Sequence, residues 1–239
     1  MPLPKINTPT YQLVVPSTGK KLSYRPFLVR EEKILILALE SEDMGQITNA
    51  IVEILTACIL TKGVDVTKLA TFDIEYIFLN VRAKSVGEVI EVNVTCPDDN
   101  ETNVQMEINI DDIKVQKNRK HKNLIKLDDT LSMKMAYPSI EQFVENNFEV
   151  QESANVDQSL AMITGCIEQV YNEEESWAAS DCTKDEMKEF VEQMNTKQFK
   201  EIEGFFTTMP KLSHKVKVKN PKTKVESDVV LEGLASFFS

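Results

Sequence analysis

The chain has 239 residues, of which 42% are hydrophobic and 27% are charged, and its formal net charge is −11. These proportions are ordinary for a globular protein that is long enough to bury a core. The acidic balance argues against a nucleic-acid partner. No apolar run approaches the roughly 18 residues of a membrane-spanning helix, so we expect no membrane association. Neither a P-loop nor a G-x-G-x-x-G pattern is present, and we therefore expect no cofactor.

Residues 1–90 predict a β-hairpin followed by three helices. Apolar residues alternate with polar ones on both sides of a turn at Pro16–Gly19, as expected for a hairpin. The hydrophobic period then predicts three helices, over 30–43, 45–63 and 71–85.

The first predicted helix has a nearly continuous apolar run. A single amphipathic stripe does not explain such a run. We therefore predict a helix that is either buried or covered by a partner. The candidate contact residues in it are Ile34, Leu35, Leu37 and Leu39.

Residues 91–137 predict a central β-hairpin region. Two alternating stretches, over 88–96 and 102–115, are joined by a turn that begins Cys96-Pro97-Asp98-Asp99. A later turn, Asn220-Pro221-Lys222-Thr223, joins the strands of a terminal hairpin. Both turns stand where a zinc ribbon carries C-x-x-C, but Cys96 is the one such ligand present. We therefore predict that no zinc is bound and that apolar packing holds both hairpins.

Residues 138–209 predict a helical region, and residues 210–239 predict a hairpin with an apolar tail. One of the helices is predicted over 157–172, with Leu160, Ile163, Ile167, Val170 and Tyr171 on one face. The tail offers four candidate packing residues, which are Leu231, Leu234, Phe237 and Phe238. These residues pack either on the chain's own core or, as a short helix, in the groove of a partner.

The predicted fold class is α+β. It is mainly helical with N-terminal, central and C-terminal β-hairpins, and the last two hairpins resemble zinc ribbons without their ligands. The four segments 1–90, 91–137, 138–209 and 210–239 form either separate regions or one compact unit.

No arrangement of residues predicts catalysis. The two histidines, His121 and His214, have no nucleophile motif near them in the sequence. Pairs of aspartates at 98–99, 111–112 and 128–129 could bind a hard cation or act as acid and base, but turn formation is their commoner role. The basic run at 116–122 reads as a solvated loop rather than a phosphate patch, because no aromatic residues interleave with it. We therefore expect no catalytic, cofactor-binding or metal-binding residues.

Several separated stretches carry a family resemblance: Pro16–Ser41, Phe72–Glu88, and PKLSH and LEGLASFF near the end. In this order they resemble the T4-type bacteriophage base-plate protein family, which includes a baseplate hub subunit of contractile-tailed phages. The resemblance implies a non-enzymatic role in tail morphogenesis, as a hub subunit or an assembly chaperone, in contact with other baseplate hub or tail proteins. It also implies a location in the host cytoplasm during assembly or in the tail baseplate of the virion.

Two functions of other classes remain open from the residues alone. One is a hydrolase or metal-dependent enzyme that uses the paired aspartates. The other is a small regulatory binding protein. Co-purification with hub proteins would separate these classes from an assembly role.

Overall fold

A computed structural model describes residues 6–140, 142 and 156–237. Its described elements are, in chain order, β1 (Tyr11–Val14), β2 (Lys21–Tyr24), α1 (Val29–Glu40), α2 (Met44–Cys58), α3 (Thr71–Ser85), β3 (Val89–Thr95), β4 (Asn103–Asn109), β5 (Lys114–Gln116), β6 (Leu124–Lys126), β7 (Ser132–Met135), α4 (Val156–Gly165), β8 (Ile167–Tyr171), β9 (Ser176–Ala178), α5 (Lys184–Glu192), α6 (Thr196–Thr208), β10 (Lys211–Lys219) and β11 (Glu226–Glu232). Short 3-10 turns lie at Val66–Lys68, Ile110–Asp112, Ala179–Asp181 and Leu234–Phe237.

These elements form two compact units. The first unit holds Met1–Gln116 together with Lys211–Ser239, and the second unit holds Lys117–Pro210. The division therefore differs from the four consecutive segments considered above. The reason is strand pairing, because β10 pairs with β11 on one side and with β5 on the other. This pairing joins the end of the chain to its central region.

The fold is α+β, with 39% of it helical and 28% in strands. The prediction of a mainly helical protein underestimated the strand content, because it did not include the four-stranded sheet of the second unit. The expected likeness of two hairpins to zinc ribbons is not confirmed.

The first unit contains the predicted N-terminal hairpin and three helices. Strand β1 pairs antiparallel with β2, and α2 buries the face that its periodicity predicts. Helix α3 differs from an amphipathic helix, because it is buried nearly all round. A cluster of buried side chains joins α3 to the central and terminal hairpins, and Leu79, Ile90 and Leu212 are among its members. Each large apolar side chain buried in this way contributes about 1.5–3 kcal/mol.

The turns of the central and terminal hairpins contact each other through side chains. The Asn220 amide is 1% exposed, and its Nδ2 donates to both carboxylate oxygens of Asp98 (3.1 Å each) and to Asp99 Oδ2 (2.9 Å). The Thr223 hydroxyl donates to Asp98 Oδ2 (2.5 Å). Hydrogen bonds thus connect the two turns that stand where a zinc ribbon carries its ligands.

The second unit contains an antiparallel sheet in the order β6-β7-β8-β9. The helix predicted over 157–172 is wrong in its second half, because α4 ends at Gly165 and Ile167–Tyr171 forms β8. Strand β8 lies between β7 and β9, so its backbone groups have partners on both sides. A short apolar run fits a buried strand as well as a helix, and periodicity does not distinguish them. The first part of the predicted helical region, residues 138–155, lies largely outside the described residues.

Candidate interaction surface

Helix α1 has one side that packs on the protein, and that side begins with a buried ion pair. Glu31 is 3% exposed, and its carboxylate accepts hydrogen bonds from Arg25 Nη2 (3.0 Å) and Arg30 Nε (2.7 Å). The backbone amide of Leu28 also donates to Glu31, at 2.6 Å, which satisfies one of the free amides at the start of the helix. Further along, Leu35 and Ala38 are buried on the same side. Extensive contacts join α1 to α2.

The Glu31 carboxyl is held in its charged form. Burial by itself raises the pKa of Glu31, but the hydrogen bonds from Arg25, Arg30 and the Leu28 amide outweigh burial and lower the pKa to about 2. A glutamate near the N-terminus of a helix is also stabilised by the helix dipole. The buried side of α1 is therefore fixed both by charge and by packing.

The opposite side of α1 exposes apolar side chains. Val29 is 80% exposed, Leu37 is 55% exposed and Ile36 is 49% exposed. Positions 29, 36 and 37 fall within one face of a helix with 3.6 residues per turn. We call these three residues the open face of α1; the exposed side chains of Lys33 and Glu40 lie between them on the same face.

The candidate residues in α1 therefore separate into different environments. Leu35 is buried within the protein. Leu37 and Leu39 are exposed, and the exposed fraction of Leu39 is 37%. Ile34 is half-buried. Val29 and Ile36, two members of the open face, are not among the contact residues predicted from the sequence. A continuous apolar run does not show which face of a helix is exposed.

The candidate residues in the tail lie mostly against the first unit's core. Leu231 and Phe237 belong to the buried cluster, and Leu234 packs against it while half-buried. Phe238 lies outside the described residues. Gly233 has a φ of +73°, a left-handed conformation that favours glycine, where the chain leaves β11 for the Leu234–Phe237 turn. The Leu234 amide then donates to Glu75 Oε1 on α3 at 3.1 Å.

The polar residues considered for chemistry make structural hydrogen bonds. His121 Nδ1 lies 3.0 Å from Thr208 Oγ1 in the second unit, and His214 Nδ1 lies 3.2 Å from the Asp112 carbonyl oxygen in the first. Asp128 Oδ1 accepts from the amides of Thr130 and Leu131 in a turn. Within the described parts of the chain, no three His, Cys, Asp or Glu side chains are grouped so that they could hold a metal ion. No helix there is both long enough and apolar enough to cross a membrane.

An exposed apolar face on a firmly anchored helix is typical of a protein that works through contact with other proteins. A sequence model of the family described as T4 bacteriophage base plate protein matches residues 8–239. The chain therefore belongs to this family of phage base plate proteins. No curated protein and no solved structure matches it.

Membership of this family covers nearly the whole chain, so it applies to both units. It gives the protein a structural or assembly role in the phage baseplate, as a component of the virion tail. It also implies contact with other tail or baseplate proteins. Baseplate structural families are in general not enzymatic.

Proposed function

We propose that the protein acts in assembly of the baseplate hub, as a hub subunit or as an assembly chaperone, through non-enzymatic contacts with another hub protein. In this role it works in the host cytoplasm while the baseplate forms. The open face of α1 is the contact surface. The observation that carries the proposal is the exposure of Val29, Ile36 and Leu37 on a helix whose other side is buried.

The anchoring of α1 supports this role. Because Glu31, Leu35 and Ala38 hold one side of the helix in place, the open face is presented by a backbone that is ordered before a partner arrives. A pre-ordered surface loses less conformational entropy on binding than a flexible one. Covering the exposed parts of Val29, Ile36 and Leu37 with a partner removes apolar surface from water and so favours the contact.

The proposal is tested by co-expression with the other hub proteins of the same phage, followed by affinity capture of the complex. In the double variant Ile36→Asp with Leu37→Asp, we expect at least about tenfold less complex, because two carboxylates enter the apolar contact. Both positions are exposed, so the isolated variant is expected to remain folded, with a Tm within about 2 °C of the unsubstituted protein. Circular dichroism on heating measures this Tm.

Two further variants serve as controls. Val86→Asp places a charge at a position that is 59% exposed outside α1, and it is expected to leave the yield of complex unchanged. Leu35→Asp places a charge on the buried side of α1 and is expected to unfold the protein. A double variant that is folded and still assembles like the unsubstituted protein would show that the open face is not the contact surface.

A further inference from the structure

A cleft of about 780 Å³ opens in the second unit. It lies between β6, with the loop before it and the turn after it, and α6, which lines it from Lys197 to Thr208. Four lysines line it, which are Lys120, Lys122, Lys126 and Lys197. We call it the lysine cleft. It is a separate surface from the open face of α1, and it belongs to the other unit.

Most of these lysines have no carboxylate partner. Lys126 Nζ pairs with Asp129 Oδ1 at 3.1 Å. Among the described residues, no carboxylate lies within ion-pair distance of Lys120, Lys122 or Lys197. On a chain with a net charge of −11, the lysine cleft is suited to negative groups.

The rim of the cleft selects among negative ligands. Asp128, Asp129 and Glu201 also line it, so positive and negative side chains are interspersed. A continuous polyanion such as nucleic acid would place phosphates against these carboxylates. The one aromatic side chain in the lining, Phe205, is only 2% exposed and offers no ring for a base to stack on. A short peptide with carboxylates at alternate positions can contact the three lysines that have no carboxylate partner among the described residues, and it presents fewer negative groups to Asp128, Asp129 and Glu201.

The wall of the cleft at β6 is suited to an extended peptide. Strand β6 is an edge strand, and β7 is its one neighbour in the described sheet. The carbonyl of Asn123 and the amide of Leu127 are hydrogen-bonded to the returning chain of this hairpin, at 2.8 and 2.9 Å. Because hydrogen-bonded positions alternate along an antiparallel strand, the backbone groups of Leu124 and Lys126 point away from β7. An added strand could pair with them.

Leu124 gives the cleft an apolar contact point. Its side chain is 52% exposed although it lines the cleft. Covering it with an apolar side chain of a ligand removes this surface from water. We propose that the lysine cleft binds an extended, acidic and partly apolar segment of a protein partner, which adds a strand to the outer edge of β6. This inference is independent of the contact proposed for α1.

A fluorescent peptide of eight residues, alternating glutamate and valine, tests the inference by anisotropy with the full chain. We expect saturable binding that weakens with added salt, because exposed charges are screened. Two changed peptides separate the contributions. Glutamine in place of glutamate, and N-methylation of alternate backbone amides, are each expected to weaken binding at least about tenfold, because they remove the charges and the strand pairing.

Variants of the protein locate the site. The triple variant Lys120→Glu, Lys122→Glu and Lys197→Glu is expected to bind the peptide at least about tenfold more weakly. The matched control is Lys20→Glu, Lys62→Glu and Lys114→Glu, which makes the same change of net charge at exposed lysines of the first unit and is expected to bind within about twofold. Equal binding by both triple variants would overturn the inference, and so would absence of peptide binding. Tighter binding of a ten-nucleotide oligothymidine than of the peptide would overturn the choice of ligand.

Discussion

Helices α1 and α3 contain similar proportions of apolar residues but have different surroundings. Helix α3 contacts α2, β5, β10 and the Ile110–Asp112 turn, and it buries side chains on nearly every face. Helix α1 has extensive contact with α2 and leaves its open face exposed. The number of elements packed on a helix, rather than its apolar content, therefore decides how much of the helix is buried.

The same contrast applies to a glutamate on each helix. Glu31 on α1 is paired with Arg25 and Arg30, and its pKa is lowered to about 2. Burial raises the pKa of Glu75 on α3 to about 7, although the Leu234 amide opposes that shift, and the charge of Glu232 adds to it. Arg25 and Arg30 thus keep the Glu31 carboxyl charged. Burial and the charge of Glu232 instead favour the neutral form of Glu75.

A substitution at the centre of α3 should destabilise the protein more than those described below. Phe78 is 0% exposed, so Phe78→Ala should leave a cavity and lower the free energy of unfolding by about 3–5 kcal/mol. The measurement is urea unfolding followed by circular dichroism. The control is Val86→Ala at the exposed end of this helix, which should change the free energy by no more than about 0.5 kcal/mol. Equal effects of the two substitutions would contradict the central position of α3.

Lowering the pH should reduce the free energy of unfolding, because it protonates Glu31. Its pKa is lower in the folded protein, at about 2, than the ordinary value of 4.5, so its stabilising contribution is fully present above pH 4.5 and is lost as the pH falls towards 2. The shift in pKa corresponds to a contribution of about 3 kcal/mol to the free energy of unfolding. Urea unfolding between pH 6 and pH 2 measures it, with Glu31→Gln as the comparison.

At pH 6 the Glu31→Gln variant should be less stable than the unsubstituted protein, because the two arginines lose their anion. The difference between the two proteins should shrink as the pH approaches 2, where the carboxyl becomes protonated in both states. A difference that is independent of pH would show that Glu31 is not held in its charged form.

Glu75 should make the free energy of unfolding depend on pH in the opposite direction, and by a smaller amount. Its pKa is raised in the folded protein, so its contribution to stability is complete below pH 4.5 and is lost as the pH rises through about 7. Glu75→Gln keeps an oxygen for the Leu234 amide and removes the charge, so at pH 8 it should raise the free energy of unfolding by about 2–3 kcal/mol. At pH 4 the gain should be absent. The exposed substitution Glu53→Gln on α2, measured in the same way, should show no gain at pH 8.

Local sequence patterns were sufficient for several parts of this protein. The alternation around Pro16–Gly19 and in residues 88–115 predicted the first two hairpins, and a 3.6-residue period predicted α1 and α2. The stretches that resemble the base-plate family also lie within single elements or adjacent ones. Each of these signals depends on neighbours in the chain, so it can be read without knowledge of the fold.

Long-range contacts decided the rest. Whether Ile167–Tyr171 became a helix or a strand depended on β7, which pairs with it from more than thirty positions earlier in the chain, and on β9, which pairs with it after a short turn. The contact of Asn220 with Asp98 joins residues more than one hundred positions apart. Which leucines of α1 are buried depended on where α2 packs, and periodicity alone does not fix that direction when the apolar run is continuous. The open face of α1 could therefore be defined only from the tertiary structure, because burial is a property of the packed neighbours.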